Sequence, residues 1–107
     1  MKHCVVILAV LSLLSSCQKS AADHVEQGMR LAESGKSEEA GLEFQKALQL
    51  DANLGEAHYQ LGRLALRNGD GDGALTALTQ AARLLPERDD VQVALADLYV
   101  EAMRRNM

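Results

Sequence analysis

The stretch GEAHYQLGRLALRNGDGDGALTALTQAARLLPER, Gly55–Arg88, decides the fold. Laid over the residues before it at an offset of 34, it returns the same residue at His24 and His58, Gly28 and Gly62, Gly35 and Gly69, Ala40 and Ala74, and Ala47 and Ala81. A fixed period of this length marks stacked supersecondary units, and small residues recurring in register mark places where two elements approach closely. Within each unit the apolar residues fall at helical spacing, broken once by a glycine and once by a polar or proline-containing link.

The helix boundaries follow from local chemistry. A first helix is expected from about Asp23 to Ser34, ended by Gly35, and a second from near Ser37, with Glu38 and Glu39 at the positive end of its dipole. Asn53, with Glu56 three residues on, predicts the N-cap of a third helix, which Asn68 and Gly69 stop. Gly73 to Leu85 form a fourth, Pro86 breaks the chain after it, and Asp89 and Asp90 open a fifth carrying Val91, Ala94, Leu95 and Leu98.

This pattern resembles the tetratricopeptide repeat, a 34-residue helix-turn-helix unit. From Ala21 as place 1, Gly28, Leu31, Ala40, Phe44 and Ala47 fall on the family pattern, while Gln27 stands where Leu is usual and Ala52 where Pro is usual. The second unit fits through Leu61, Gly62, Ala65, Ala74, Leu78, Ala81 and Pro86; a third supplies Leu95, Ala96 and Tyr99. The resemblance implies an all-α solenoid: repeat one at 21–54, repeat two at 55–88, and a partial third repeat, one C-terminal helix, at 89–107. It also implies a partner-binding concave face lined by places 2, 5, 9, 12 and 13 of each first helix. Here these are Ala22, Val25, Met29, Ala32 and Glu33; Glu56, Tyr59, Arg63, Leu66 and Arg67; and Asp90, Val93, Asp97, Val100 and Glu101. The apolar and charged mixture suits a protein partner or peptide segment. The Lys and Asn set with which some members grip a C-terminal carboxylate is missing. An apolar edge around Leu95, Leu98 and Tyr99 predicts cover by a partner or by another copy, giving a homo-oligomer through the C-terminal helix.

The beginning of the chain carries a different signal. Lys2 and His3 precede an apolar run, Cys4–Leu14, interrupted only by Ser12 and followed by Ser15 and Ser16. These are the three parts of a secretory signal peptide, and the run is too short to span a bilayer, which needs about 20 apolar residues. Leu14-Ser15-Ser16-Cys17 resembles the lipobox of bacterial lipoproteins, which implies cleavage of residues 1–16 and lipidation of Cys17, with residues 17–22 as a short tether. Two or more acyl chains anchor a protein stably where one does not. A disulfide from Cys17 to Cys4 conflicts with removal of the segment holding Cys4. Gln18 in place of an inner-membrane Asp signal points to the outer membrane, facing the periplasm. At the level of anchor and repeat, the chain resembles lipoproteins that assist assembly of type IV pilus secretins and of outer-membrane proteins.

Other functions find little support. The net charge of −4, without a block of like charges, excludes a nucleic-acid surface. His24 and His58 share place 4, where the family often packs a large aromatic, and no ligand set accompanies them. Asn68–Gly73, NGDGDG, opens like an EF-hand loop but ends on Thr79 where a bidentate Glu is required. No catalytic constellation, metal site or cofactor is expected.

Overall fold

The computed structural model describes residues 19–107; Cys17 and the signal and lipobox residues lie outside them. Five helices follow in order, α1 (Ala21–Glu33), α2 (Ser37–Leu50), α3 (Gly55–Arg67), α4 (Gly71–Leu84) and α5 (Asp89–Arg105). The described residues contain no strand. α1 pairs with α2 and α3 with α4, and α3 also packs on α2, so the units stack as the tetratricopeptide-type, all-α helical repeat expected.

Two glycine turns make the hairpins. Gly35 and Gly69 sit at φ 80° and 74°, a conformation in which an L side chain is strained. After each, the chain closes back on the helix it has just left. Lys36 N–H donates to Leu31 O (2.9 Å) and Gly35 N–H to Ala32 O (3.1 Å); Asp70 N–H donates to Ala65 O (2.8 Å) and Gly69 N–H to Leu66 O (3.2 Å). These paired bonds form a Schellman motif twice, 34 residues apart.

The paired helices lock through a glycine on one and a bulky side chain on the other. Phe44, fully buried, lies so close to Gly28 that a Cβ there would stand 2.5 Å from its Cε1. Leu78, also fully buried, repeats the arrangement over Gly62, where a Cβ would meet its Cδ2 at 2.7 Å. Ala40, Ala47, Ala74 and Ala81 are likewise fully buried. The repeat therefore needs small residues because its helix axes are drawn together over them.

Three local expectations are corrected. α1 begins two residues earlier than Asp23 because Ser20 is its N-cap: the Ser20 hydroxyl accepts from Asp23 N–H (3.2 Å) while Asp23 Oδ2 accepts from Ser20 N–H (3.1 Å), a reciprocal capping box. Ala21 and Ala22 thus leave the tether for the helix. Asn53 does not cap α3; the N-cap is Leu54, without a side-chain bond, because Asp51 Oδ1 accepts from Asn53 N–H (3.1 Å) and turns the chain one residue sooner. α4 also starts earlier than Gly73, with Asp70 as its N-cap accepting from Gly73 N–H (2.9 Å).

Candidate functional site

The first helices of successive units lie side by side, and the space between them differs along the chain. Between α1 and α3 it is closed. Val25 of α1 joins Ala57 and Leu64 of α3 in one core cluster, Met29 and Ala32 pack against that cluster, and Arg67 Nη1 donates across to Ala32 O (3.4 Å). Val25, expected to line a binding face, is only 6% exposed and is instead a core residue. It is enclosed in a cluster that Ala40, Phe44 and Ala47 of α2 and Ala57 and Leu64 of α3 complete.

Between α3 and α5 the same space stays open. α5 leans on α4, and its only buried residue is Val91. An open groove of about 820 Å³ results, with Tyr59, Arg63 and Leu66 on the α3 wall, Asp72 and Leu75 from the start of α4, and Ala94, Asp97, Leu98, Glu101 and Arg105 on the α5 wall. Of the expected concave residues, the groove gathers Tyr59, Arg63, Leu66, Asp97 and Glu101. Ala22 and Glu33 stay exposed on α1. Val93 and Val100 lie on the solvent side of α5, 57% and 50% exposed, because helical spacing carries them round the helix from Asp97.

One end of the groove is built around Tyr59. The guanidinium carbons of Arg63 and Arg88 each stand 5.8 Å from its ring centroid, close enough for cation–π attraction of about 0.5–1 kcal/mol at exposed sites. The two arginines differ in what else they hold. Arg88 donates through Nε and Nη2 to both oxygens of Asp90 (2.9 and 2.8 Å) and through Nη1 to Glu56 Oε2 (2.8 Å). Glu56 is further held by Gln60 Nε2 (2.9 Å). Arg88 thereby ties α3 to the first turn of α5; Asp90 and then Glu56 push its pKa above the ordinary arginine value, and Arg88 in turn holds the Asp90 carboxyl below the usual range. Glu56 and Asp90, expected as partner contacts, are occupied in this joint.

Arg63, in contrast, makes no ion pair among the described residues, and neither do Asp72 and Asp97 across the groove. Glu101 is shared by Arg104 (3.6 Å) and Arg105 (3.5 Å) on its own helix. The groove thus has a free cation beside an aromatic ring on the α3 wall, free carboxylates on the α4 floor and the α5 wall, and Leu66, Leu75 and Leu98 in its lining. Such a surface can hold a peptide or helix whose apolar side chains are flanked by opposite charges.

The remaining polar candidates have structural partners. His24 Nδ1 lies 2.7 Å from Glu43 Oε2, linking α1 to α2, and His58 Nε2 lies 3.0 Å from Ala52 O. Among the described residues no three His, Cys, Asp or Glu side chains meet as a metal ligand set, and Asp70 of the NGDGDG turn is engaged as a helix cap. Asp72 and Leu75 are not among the expected site residues, and Leu98 is expected only as part of the apolar edge of the last helix, because the expected groove positions are set places on the first helices, while the floor comes from α4 and from the gap beside α5.

No protein-family model matches the chain. It is similar to the peroxisomal targeting signal receptors of Candida albicans and Komagataella phaffii, 34% and 37% identical over 79 residues, each match covering 73% of this chain. It is also similar to a TPR repeat-containing protein of Pseudomonas aeruginosa, 47% identical over 60 residues and 52% of this chain. The chain spans a small part of these relatives: 13% and 14% of the two receptors and 24% of the bacterial protein.

Proposed function

We propose that this protein is a non-enzymatic adaptor whose α3–α5 groove binds a protein partner or peptide segment, and that it works at a bacterial cell envelope, held by lipid on Cys17. The observation that carries the binding role is the pairing of an unpaired Arg63 beside Tyr59 with unpaired Asp72 and Asp97 across an apolar floor. Free charges facing one another over exposed leucines stabilise little in the isolated fold and gain most when a complementary segment desolvates them. Relatives named as peroxisomal targeting signal receptors support a segment-binding role.

The anchor rests on Leu14-Ser15-Ser16-Cys17 after a short apolar run, and the outer-membrane, periplasm-facing location rests on Gln18. In that setting the adaptor would hold partners at the membrane during assembly of an envelope machine, such as a type IV pilus or an outer-membrane complex. No described helix is long and apolar enough to cross a membrane, so the lipid would supply the attachment.

Two measurements separate these claims. Detergent-phase partitioning of the wild type, lost in Cys17→Ser, supports the anchor; aqueous partitioning of both sinks it. Envelope partners recovered by affinity purification should disappear in Arg63→Glu and in Leu66→Asp, with helical circular dichroism retained. Recovery unchanged in both variants would remove the groove from the account.

A further inference from the structure

α5 is apolar on two sides. Buried Val91 and half-buried Leu95 and Leu98 occupy the side turned toward the rest of the chain. Round the helix from them, Val93, Ala96, Val100 and Met103 recur at alternating spacings of three and four, which aligns them in one stripe without a charged member. The stripe is open: Val100 is 50% exposed and Met103 61%. A helix with apolar residues on opposite sides is stable when both are covered, and no described residue covers this one.

The flanks of the stripe say what fits it. On one side stand Asp97 and Arg104, seven residues apart; on the other stand Gln92, Tyr99 and Asn106, all uncharged. In a two-fold antiparallel pair of such helices, like flanks face like flanks. The register that sets Val100 across from the partner's Met103 brings Asp97 beside the partner's Arg104, and symmetry makes that ion pair twice. In the neighbouring register, with Val100 across from the partner's Ala96, Asp97 meets the partner's Asp97. A parallel pair would set both charges against the neutral flank. The charge pattern is therefore self-complementary in one arrangement.

We infer that α5 pairs antiparallel with α5 of a second copy through Val100 and Met103, locked by Asp97–Arg104 pairs. Val100 and Met103 do not line the groove, but Asp97 does, so pairing brings the partner's Arg104 to the rim of each groove and leaves Arg63, Asp72 and the leucines open, which goes beyond the single-chain adaptor.

The test is sedimentation equilibrium of the full chain carrying Cys17→Ser, so that no lipid drives association. A dimer is expected. Val100→Glu raises its dissociation constant at least tenfold, Arg104→Asp alone also weakens it, and Asp97→Arg combined with Arg104→Asp restores it. The substituted side chains are exposed, so helical circular dichroism should be unchanged in each variant. A monomer up to about 1 mM, where only the weakest association survives, overturns the inference. So does a dimer indifferent to Val100→Glu, or a charge exchange that fails to restore association.

Discussion

Replacing Gly28 with Ala tests the lock that joins α1 to α2. The new methyl carbon would stand 2.5, 2.8 and 3.0 Å from Cε1, Cδ1 and Cζ of Phe44. Non-bonded carbons settle at about 3.5–4.0 Å, so the helices must part by about 1 Å or the ring must leave its place. Phe44 is fully buried and has nowhere to move without disturbing its neighbours. Overpacking of this kind costs about 1–3 kcal/mol, against which Ala in a helix interior gains up to about 1 kcal/mol over Gly. A net loss of about 1–2 kcal/mol is expected. Followed by circular dichroism in urea, it lowers the midpoint by about 1 M for a chain of this size. Gly41→Ala is the matched control: on α2, the nearest side-chain atom to its added carbon is Leu64 Cδ1 at 3.9 Å, ordinary contact. That variant should be more stable than wild type by about 0.5–1 kcal/mol. Phe44→Leu should cost less in the Gly28→Ala background than alone, because the smaller side chain makes room for the methyl. If Gly28→Ala is as stabilising as Gly41→Ala, close approach over Gly28 does not hold the repeat together.

Other consequences are equally measurable. Glu43 is held below the ordinary carboxylate range, first by its bond to His24 and then by Lys46, despite burial that acts the other way. The unfolded chain therefore binds more protons in acid, so the stability Glu43 adds is complete above its unfolded value of about 4.3 and falls as pH drops below it; Glu43→Gln should flatten that acid limb in urea midpoints. Gly69→Ala places a side chain at φ 74° and should cost about 1 kcal/mol by thermal unfolding, although its added carbon meets nothing within 4 Å. Arg88→Ala removes the tie from Glu56 to Asp90 and should loosen α5 first, seen as faster amide exchange there while the exchange of α2 is unchanged.

The solenoid was readable because its determinants are local or periodic. Gly28 with Gly62 and Gly35 with Gly69 announce close approach and left-handed turns wherever they fall, and the 34-residue spacing sets their register. Caps were less legible. Asn53 followed by Glu56 has the form of a capping box, yet Asp51 competes for the Asn53 N–H, and a side chain two residues upstream settles the turn. The groove was half legible for a tertiary reason. Val25 and Tyr59 hold the same place in successive units, but the first is enclosed in the α1–α2–α3 core while the second faces the open groove beside α5. Likewise α5 is open on more than the expected edge: Leu98 and Tyr99 line the groove and Leu95 is half-buried, while a further exposed stripe runs through Val100 and Met103.

The most direct test is photocrosslinking in bacterial cells from a photoreactive residue at Tyr59, compared with one at Leu42, which is 57% exposed and lies outside the groove between α3 and α5. One discrete heterologous envelope protein should be captured from Tyr59, absent from Leu42 and lost when Arg63→Glu is added. Capture only of the protein itself, or equal capture from both positions, would contradict a partner-binding groove.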